Sequence, residues 1–476
     1  VATAHPLATD AALGALSDGG SAVDAAICAQ AVLCVTSPHA CGVGGDVLAL
    51  VHEPGGRVHA VNGTGRSAAA ADEVLHTQGG ASVTVPGIVD GWARLHERWG
   101  RLPWRRVLAP ALLLAADGTG IDDDLARAAQ AHRPRLARGG GGRWSLLAGP
   151  ARWRQPELAE LLERVAAHGA PAFYGGEVAA AVAAAVRADG GALGEDDLAA
   201  HRTLVGEPVS VPWHDGTVHV QPPSSQGVLL ALCLDAVQRR LPADARALLG
   251  GTGREHVLVE VTQAAFAQRD RCADPGAVLA ADVTVDARRA SRRGGPRAYL
   301  HTAGVAVADA DGTVVSSLVS VFDDFGAGTF VPRFGFALNN RAGGFTAGPN
   351  RPQPSALPVH TLAPALHVGP GGALGLATPG ADGQVQTLLQ VLARRRYDAA
   401  PLAEAVAAPR WRGEDGALLV EDDHPAAADL RARGHDVVPL EPGDDRFGAV
   451  VAVSTAPGGG TSAVADWRRR TTAAAL

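Results

Sequence analysis

The chain has 476 residues and a formal net charge of −7, long enough to bury a large core without metal or disulfide staples. Its acidic balance and an aromatic content of only 4% argue against a nucleic-acid binder, which carries a basic face and stacking rings. No run reaches the ~18 apolar residues of a membrane span, and the opening VATAHPLATD lacks a basic-then-apolar leader, so a soluble, cytoplasmic, catalytic chain without membrane contact is expected.

The chain contains no Lys and no Met and is rich in Ala, Gly, Arg, Val and Pro, a skew that reads as coding bias. Cys28, Cys34, Cys41, Cys233 and Cys272 form no CxxC pair. Neither zinc nor a disulfide framework is expected of them, and reduced thiols are. In chain order, residues 7–17 and 22–35 predict two Ala-rich helices, the second almost wholly apolar and hence buried, with Ser21 as its cap. LALVH and VHAVN predict strands around the turn Pro54-Gly55-Gly56. Residues 87–205 read as mainly helical, interrupted by an exposed Gly/Arg-rich loop at 138–143. VSVPW and TVHVQ predict a hairpin, followed by helices over 227–240 and 254–272 and an exposed linker over 280–300.

From residue 304 the pattern turns to strands. GVAVAD, the turn Asp311-Gly312 and TVVSSLVSVF predict a second hairpin. Further strands are predicted at 334–338, 363–368, 372–377, 417–421 and 447–454, with a helix from Gln384. Strands before and after packed helices predict a layered α+β architecture.

Several familiar motifs fail. GVGGD at 42–46 follows a helix and lacks G-x-G-x-x-G spacing, so it is not read as a nucleotide loop. No G-x-S-x-G elbow occurs. His256 and Glu260 share one helix face but have no third ligand nearby, so no metal centre and no cofactor are expected.

Widely spaced blocks carry the positive signal. HPLATDAALGALSDGGSAVDAAICAQ, SPHACGVGGD, VTVPGIVDGWARLHERWGRLPW, QPPSSQG, DRCADP, HTAGVAVADADGTVVSSLVSVFDDFGAG, FALNNRAGGF, LPVHTLAPAL and ATPGADGQVQT occur in an order that resembles the gamma-glutamyltranspeptidase-like family over nearly the whole chain. The resemblance implies a four-layer αββα N-terminal-nucleophile hydrolase made as one precursor and self-cleaved. Aligned on Asp309, Gly312, Phe325 and Gly326, it implies that Thr302 is the nucleophile. Residues 1–301 would then form a large subunit and 302–476 a small one, intertwined in one domain, with no partner required beyond the small-molecule substrate; assembly into homo-oligomers is left open. The chemistry suits a Thr at a new terminus: its hydroxyl needs a base, and an α-amine of pKa roughly 7.7–8.0 sits on the same residue. Ala303-Gly304 stand where transpeptidases usually carry Thr-His.

The resemblance further implies that Ser320 contacts the nucleophile and that the amides of Gly380 and Ala381 form an oxyanion hole; Asp382-Gly383 could cap the following helix. In the substrate site the chain departs from true transpeptidases. Gly344 replaces an ammonium-binding Asp, Phe322 an Asn, Arg341 a Gln, and His360-Thr361 a pair of Ser. These changes point to a carboxylate-bearing ligand other than glutathione, with Arg341 as a carboxylate partner, His360 as a hydrogen-bond donor or acid, and Arg66 as a second carboxylate grip. Amidases on small acids and acylases share the HTLxP stretch, as do carbon–carbon bond hydrolases of 4-alkylproline antibiotic pathways. An unprocessed binding protein is the remaining alternative.

Overall fold

Strands with apolar residues on both faces need cover on both faces, and the fold provides it with two stacked sheets and two helical layers. The computed structural model describes residues 1–291 and 302–476. The first sheet runs in the order Thr472–Ala473, Ala2–Thr3, Ala303–Ala308, Val314–Ser320, Asp46–His52, Val58–Asn62, Leu204–Gly206. The second runs Thr461–Ala465, Val451–Thr455, Gly372–Ala377, Ala365–Gly369, Gly216–Val220, Val209–Trp213. All pairings within both sheets are antiparallel. Leu48, Leu50, Ala306, Leu318, Leu366 and Val451 fill the space between the sheets. These four layers, helix, sheet, sheet, helix, are the αββα arrangement that the sequence resemblance implied.

On the outer face of the first sheet lie the helices Pro6–Ser17 and Ala22–Thr36, the latter buried along its whole length. A helix with no solvent face depends on its caps. Ser21 Oγ accepts from Asp24 N–H at 3.1 Å while Asp24 accepts from Ser21 N–H at 2.9 Å, a reciprocal capping box. The helices Gly227–Asp235, Arg254–Phe266 and Gly383–Tyr397 cover the second sheet. All five cysteines are buried free thiols, and burial pushes Cys28, Cys233 and Cys272 up to about 12, which makes them poor nucleophiles at neutral pH.

Sheet connectivity interleaves the two halves of the chain. Ala303–Ala308 and Val314–Ser320 sit between Ala2–Thr3 and Asp46–His52, and Ala365–Gly369 pairs with Gly216–Val220. The C-terminal region adds a three-stranded sheet, Trp411–Glu414, Ala417–Glu421 and Val437–Leu440. Near it, the buried guanidinium groups of Arg410 and Arg468 meet Asp466 and Glu421.

Most predicted elements appear within a residue or two, but several differ. The stretch at 138–143 begins as a wide helical turn, Ala137–Gly141, continuing the helix Asp123–Leu136. Gly141 is buried there, close to Phe330. The strand predicted over 334–338 shrinks to Phe336–Ala337, paired only with Phe330–Val331. The long helix predicted over 254–272 stops at Phe266 and resumes as the single turn Arg269–Arg271. From residue 292 onward, the linker predicted over 280–300 lies outside the described residues. Among the described residues no helix is long and apolar enough to cross a membrane.

Candidate active site

Sheet register assembles the first part of the site. Ala303 pairs with Val319 and Asp46 with Ser320, so Thr302, Ser320 and Asp46 stand side by side at one end of three neighbouring strands. Facing positions of an antiparallel pair direct side chains to the same face. Thr302 Oγ1 donates to Ser320 Oγ at 3.4 Å, and Phe322 N–H donates to the same oxygen at 2.9 Å. The backbone approaches closely here: a Cβ on Gly45 would lie 2.3 Å from the Ser320 carbonyl oxygen, and one on Gly44 2.2 Å from that of Ala337. The GVGGD glycines therefore allow backbone to press against backbone.

A buried charge cluster adjoins this row. Asp46 Oδ2 lies 3.2 Å from Arg341 Nε and 3.2 Å from His360 Nε2, with all three side chains fully inaccessible. His360 Nδ1 accepts from Leu362 N–H at 3.2 Å, which assigns its proton to Nε2 and makes that nitrogen the donor to Asp46. Burial, reinforced by the Arg341 charge, pushes His360 down to about 4 despite Asp46, so the ring is neutral at pH 7. Burial also opposes the Asp46 charge, but the His360 hydrogen bond and the Arg341 cation outweigh it and hold the carboxyl below its ordinary range. Arg341 Nη1 reaches Thr361 Oγ1 at 3.3 Å, and its guanidinium carbon sits 4.6 Å above the centre of the Phe322 ring.

Arg341 is thus placed as the internal partner of Asp46, facing it and not open space. His360 lies in the same buried cluster, as a hydrogen-bond donor to Asp46. The sequence reading missed Asp46. Its signal was a carboxylate at the start of a strand whose every residue is buried, a position where a charge persists only with a partner. At Gly344, a Cβ would come within 2.8 Å of the Val359 carbonyl oxygen. The position aligned with an ammonium-binding Asp therefore has no room for a side chain in this backbone.

The second sheet contributes the loop after Gly372–Ala377. Ala377 packs beneath Gly304, where a Cβ would stand 3.5 Å from the Ala377 methyl. Gly380 and Ala381 both take left-handed backbone, φ +118° and +46°, so successive amides turn out of the strand direction. The turn closes through Gly383 N–H to Gly380 O at 2.7 Å and Gln384 N–H to Ala381 O at 3.0 Å. Neither bond uses the Gly380 or Ala381 N–H. Gln226 Nε2 donates to the carbonyl oxygens of Thr361 at 2.8 Å and Ala381 at 2.9 Å, joining this loop to the His360 segment. Asp382 makes no side-chain cap to the helix it precedes; its carboxylate lies 3.4 Å from Arg269 Nε.

Arg66 is exposed and donates to the Ser355 carbonyl at 2.8 Å. With Thr64, His201 and Leu357 it lines a cavity of about 190 Å³. Leu48 pairs with Asn62, so the register carries Thr64 opposite Asp46, and Arg66 leaves the sheet at the end that holds Ser320 and Thr302.

The stacked sheets and their helical cover are shared with known enzymes. The gamma-glutamyltranspeptidase family model matches residues 8–476. Oxamate amidohydrolase proenzyme of Klebsiella pneumoniae subsp. pneumoniae is 31% identical over 99% of this chain and 97% of its own length. Acylase ACY 1 proenzyme of Pseudomonas sp. (strain V22) is 32% identical over 100% of this chain and 93% of its own. The crystal structure of cephalosporin acylase from Bacillus halodurans superposes with a TM-score of 0.88 at 27% identity, covering 100% of this chain and 95% of that one. The chain belongs to the gamma-glutamyltranspeptidase family. Within that family it is a hydrolase or acyltransferase whose relatives include amidohydrolases and acylases.

Proposed function

We propose that this chain is a Thr-nucleophile amidohydrolase that cleaves an acyl–nitrogen bond in a small, carboxylate-bearing substrate. It is cut between His301 and Thr302 into pieces of 301 and 175 residues. The observation that carries this reading is the 3.4 Å contact of Thr302 Oγ1 with Ser320 Oγ, at the start of a strand central to the first sheet. After the cut, the Thr302 α-amine takes the hydroxyl proton as Oγ1 attacks the acyl carbon. Ser320 orients the hydroxyl. The Gly380 and Ala381 amides receive the oxyanion, an effect typically worth about 2.7–4 kcal/mol per donor. The leaving amine takes the proton, and water then attacks the acyl-enzyme and regenerates Thr302.

Substrate choice follows from what surrounds that hydroxyl. The positions that would hold a glutamyl ammonium are Gly344 and Phe322, neither of which offers a side-chain acceptor. The exposed guanidinium of Arg66 is the carboxylate grip, while the Asp46–Arg341–His360 cluster, with Thr361, shapes the wall behind it. The amidohydrolase and acylase relatives support acyl–nitrogen cleavage. The test is intact-protein mass spectrometry of parent and Thr302→Ala chains, paired with product release from oxamate, glutaryl-p-nitroanilide and gamma-glutamyl-p-nitroanilide. The parent runs as two pieces and turns over one of the first two in preference to the third; Thr302→Ala stays whole and inactive. Turnover by an unbroken chain, or by Thr302→Ala, removes Thr302 from the mechanism.

A further inference from the structure

His256 and Glu260 stand one turn apart on the helix Arg254–Phe266, a pair with no third ligand in its own segment. The fold brings one from far along the chain. His435, beyond the short helix Ala427–Ala432, reaches the same place. A ring nitrogen from each histidine and a carboxylate oxygen of Glu260 lie within 4.8 Å of one another, all in buried residues. We infer that His256, Glu260 and His435 form a binding site for a zinc-class divalent metal that ties the two halves of the chain together. The inference is independent of the chemistry proposed for Thr302.

Orientation, donor set and spacing each support the site. His256 Nε2 bonds to the Asp286 carbonyl at 2.8 Å, so it carries the proton and leaves the Nδ1 lone pair facing His435 Nε2, 2.8 Å away. Metal-binding histidines characteristically make such an outer bond to a carbonyl, which fixes the tautomer. Glu260 Oε1 accepts from Ser291 N–H at 2.9 Å and Oε2 from the Ser291 hydroxyl, which holds the carboxylate in place while each oxygen keeps a second lone pair. Two imidazoles and a carboxylate suit zinc, with water as fourth ligand; tetrahedral geometry then separates ligand atoms by about 3.3 Å. The two rings need part by roughly half an ångström to admit the ion, and the Glu260 oxygen, within 4.8 Å of them, closes toward it. His435 moves its proton from Nε2 to its other ring nitrogen, so both histidines bind as neutral ligands and Glu260 supplies the negative charge.

Because His256 and Glu260 precede residue 301 and His435 follows it, a bound ion would link the two pieces of a cut chain. The test uses the full protein, stripped with a chelator, given zinc chloride and passed through gel filtration. About one zinc per chain is retained, and the melting temperature rises by several degrees over the stripped protein. His435→Gln and Glu260→Gln each lose the ion, as does the visible absorption of cobalt(II) bound in its place. A parent that emerges metal-free, or that melts identically with and without zinc, overturns the inference. So does equal zinc retention by both variants, since the ion would then sit elsewhere. Should the variants not fold, zinc retention and the cobalt spectrum of the parent still decide.

Discussion

Asp46 supplies the charge that allows Arg341 to be buried. Removing one partner of a buried ion pair strands the other without water, at a cost of about 3–5 kcal/mol. Asp46→Asn should therefore lower stability by several kcal/mol, read as a fall in the urea midpoint, and the double variant Asp46→Leu/Arg341→Met should recover much of it. A loss below about 1 kcal/mol would mean that the pair is solvated in a way its zero accessibility denies. Residue identities near Thr302 were largely legible: Thr302, Ser320, Phe322, Arg341, His360 and Thr361 converge on one region, directly or through Asp46. What the sequence could not show was pairing. Arg341 and Asp46 are separated by 295 positions, and their segments meet at the Gly44–Leu338 bridge. An arginine read alone looks like a ligand for substrate; the fold sets its Nε 3.2 Å from the Asp46 carboxylate.

At the scale of elements, the loop from Thr378 to Asp382 carries two consecutive residues of positive φ, Gly380 and Ala381. Gly380 at φ +118° occupies a region that L side chains rarely enter. Gly380→Ala should twist the loop and misdirect the adjacent amides, lowering kcat by about 10²-fold or more with KM little changed. Steady-state kinetics on whichever substrate the parent accepts would check this, and a change confined to KM would count against an oxyanion role. Element positions were readable where periodicity was strong, as in the strand pairs 48–52 with 58–62 and 304–309 with 313–322. The sequence was less informative where tertiary contact overrides local preference. The run at 334–338 has strand composition, yet only Phe336–Ala337 form a strand and Leu338 a lone bridge to Gly44, because the chain turns at Phe334-Gly335, where Gly335 has φ +72°.

Across the whole molecule, histidines shielded from water, His360 buried and His219 half-buried, make stability depend on acidity. His219 and His360 are each held down to about 4, chiefly by burial, against about 6.5 in an unfolded chain. Between those values the unfolded chain takes up protons that the native one refuses. The stabilising contribution is therefore complete above pH 6.5 and is lost as pH falls toward 4. Urea unfolding should show a lower midpoint at pH 5 than at pH 7.5, and His219→Gln should flatten part of that slope. Equal midpoints at the two pH values would mean that these rings are not shielded from water.

Strands from either side of the 301–302 linkage alternate within the first sheet. A polypeptide severed there would keep its shape without a peptide bond between its two pieces. Once its fragments were dispersed by denaturant, they would have to meet again by diffusion, an encounter slowed by dilution that a continuous chain, with its tethered segments, never faces. If cut as proposed, such a molecule would be assembled once, before the cut, and its working life would be governed by how slowly it comes apart.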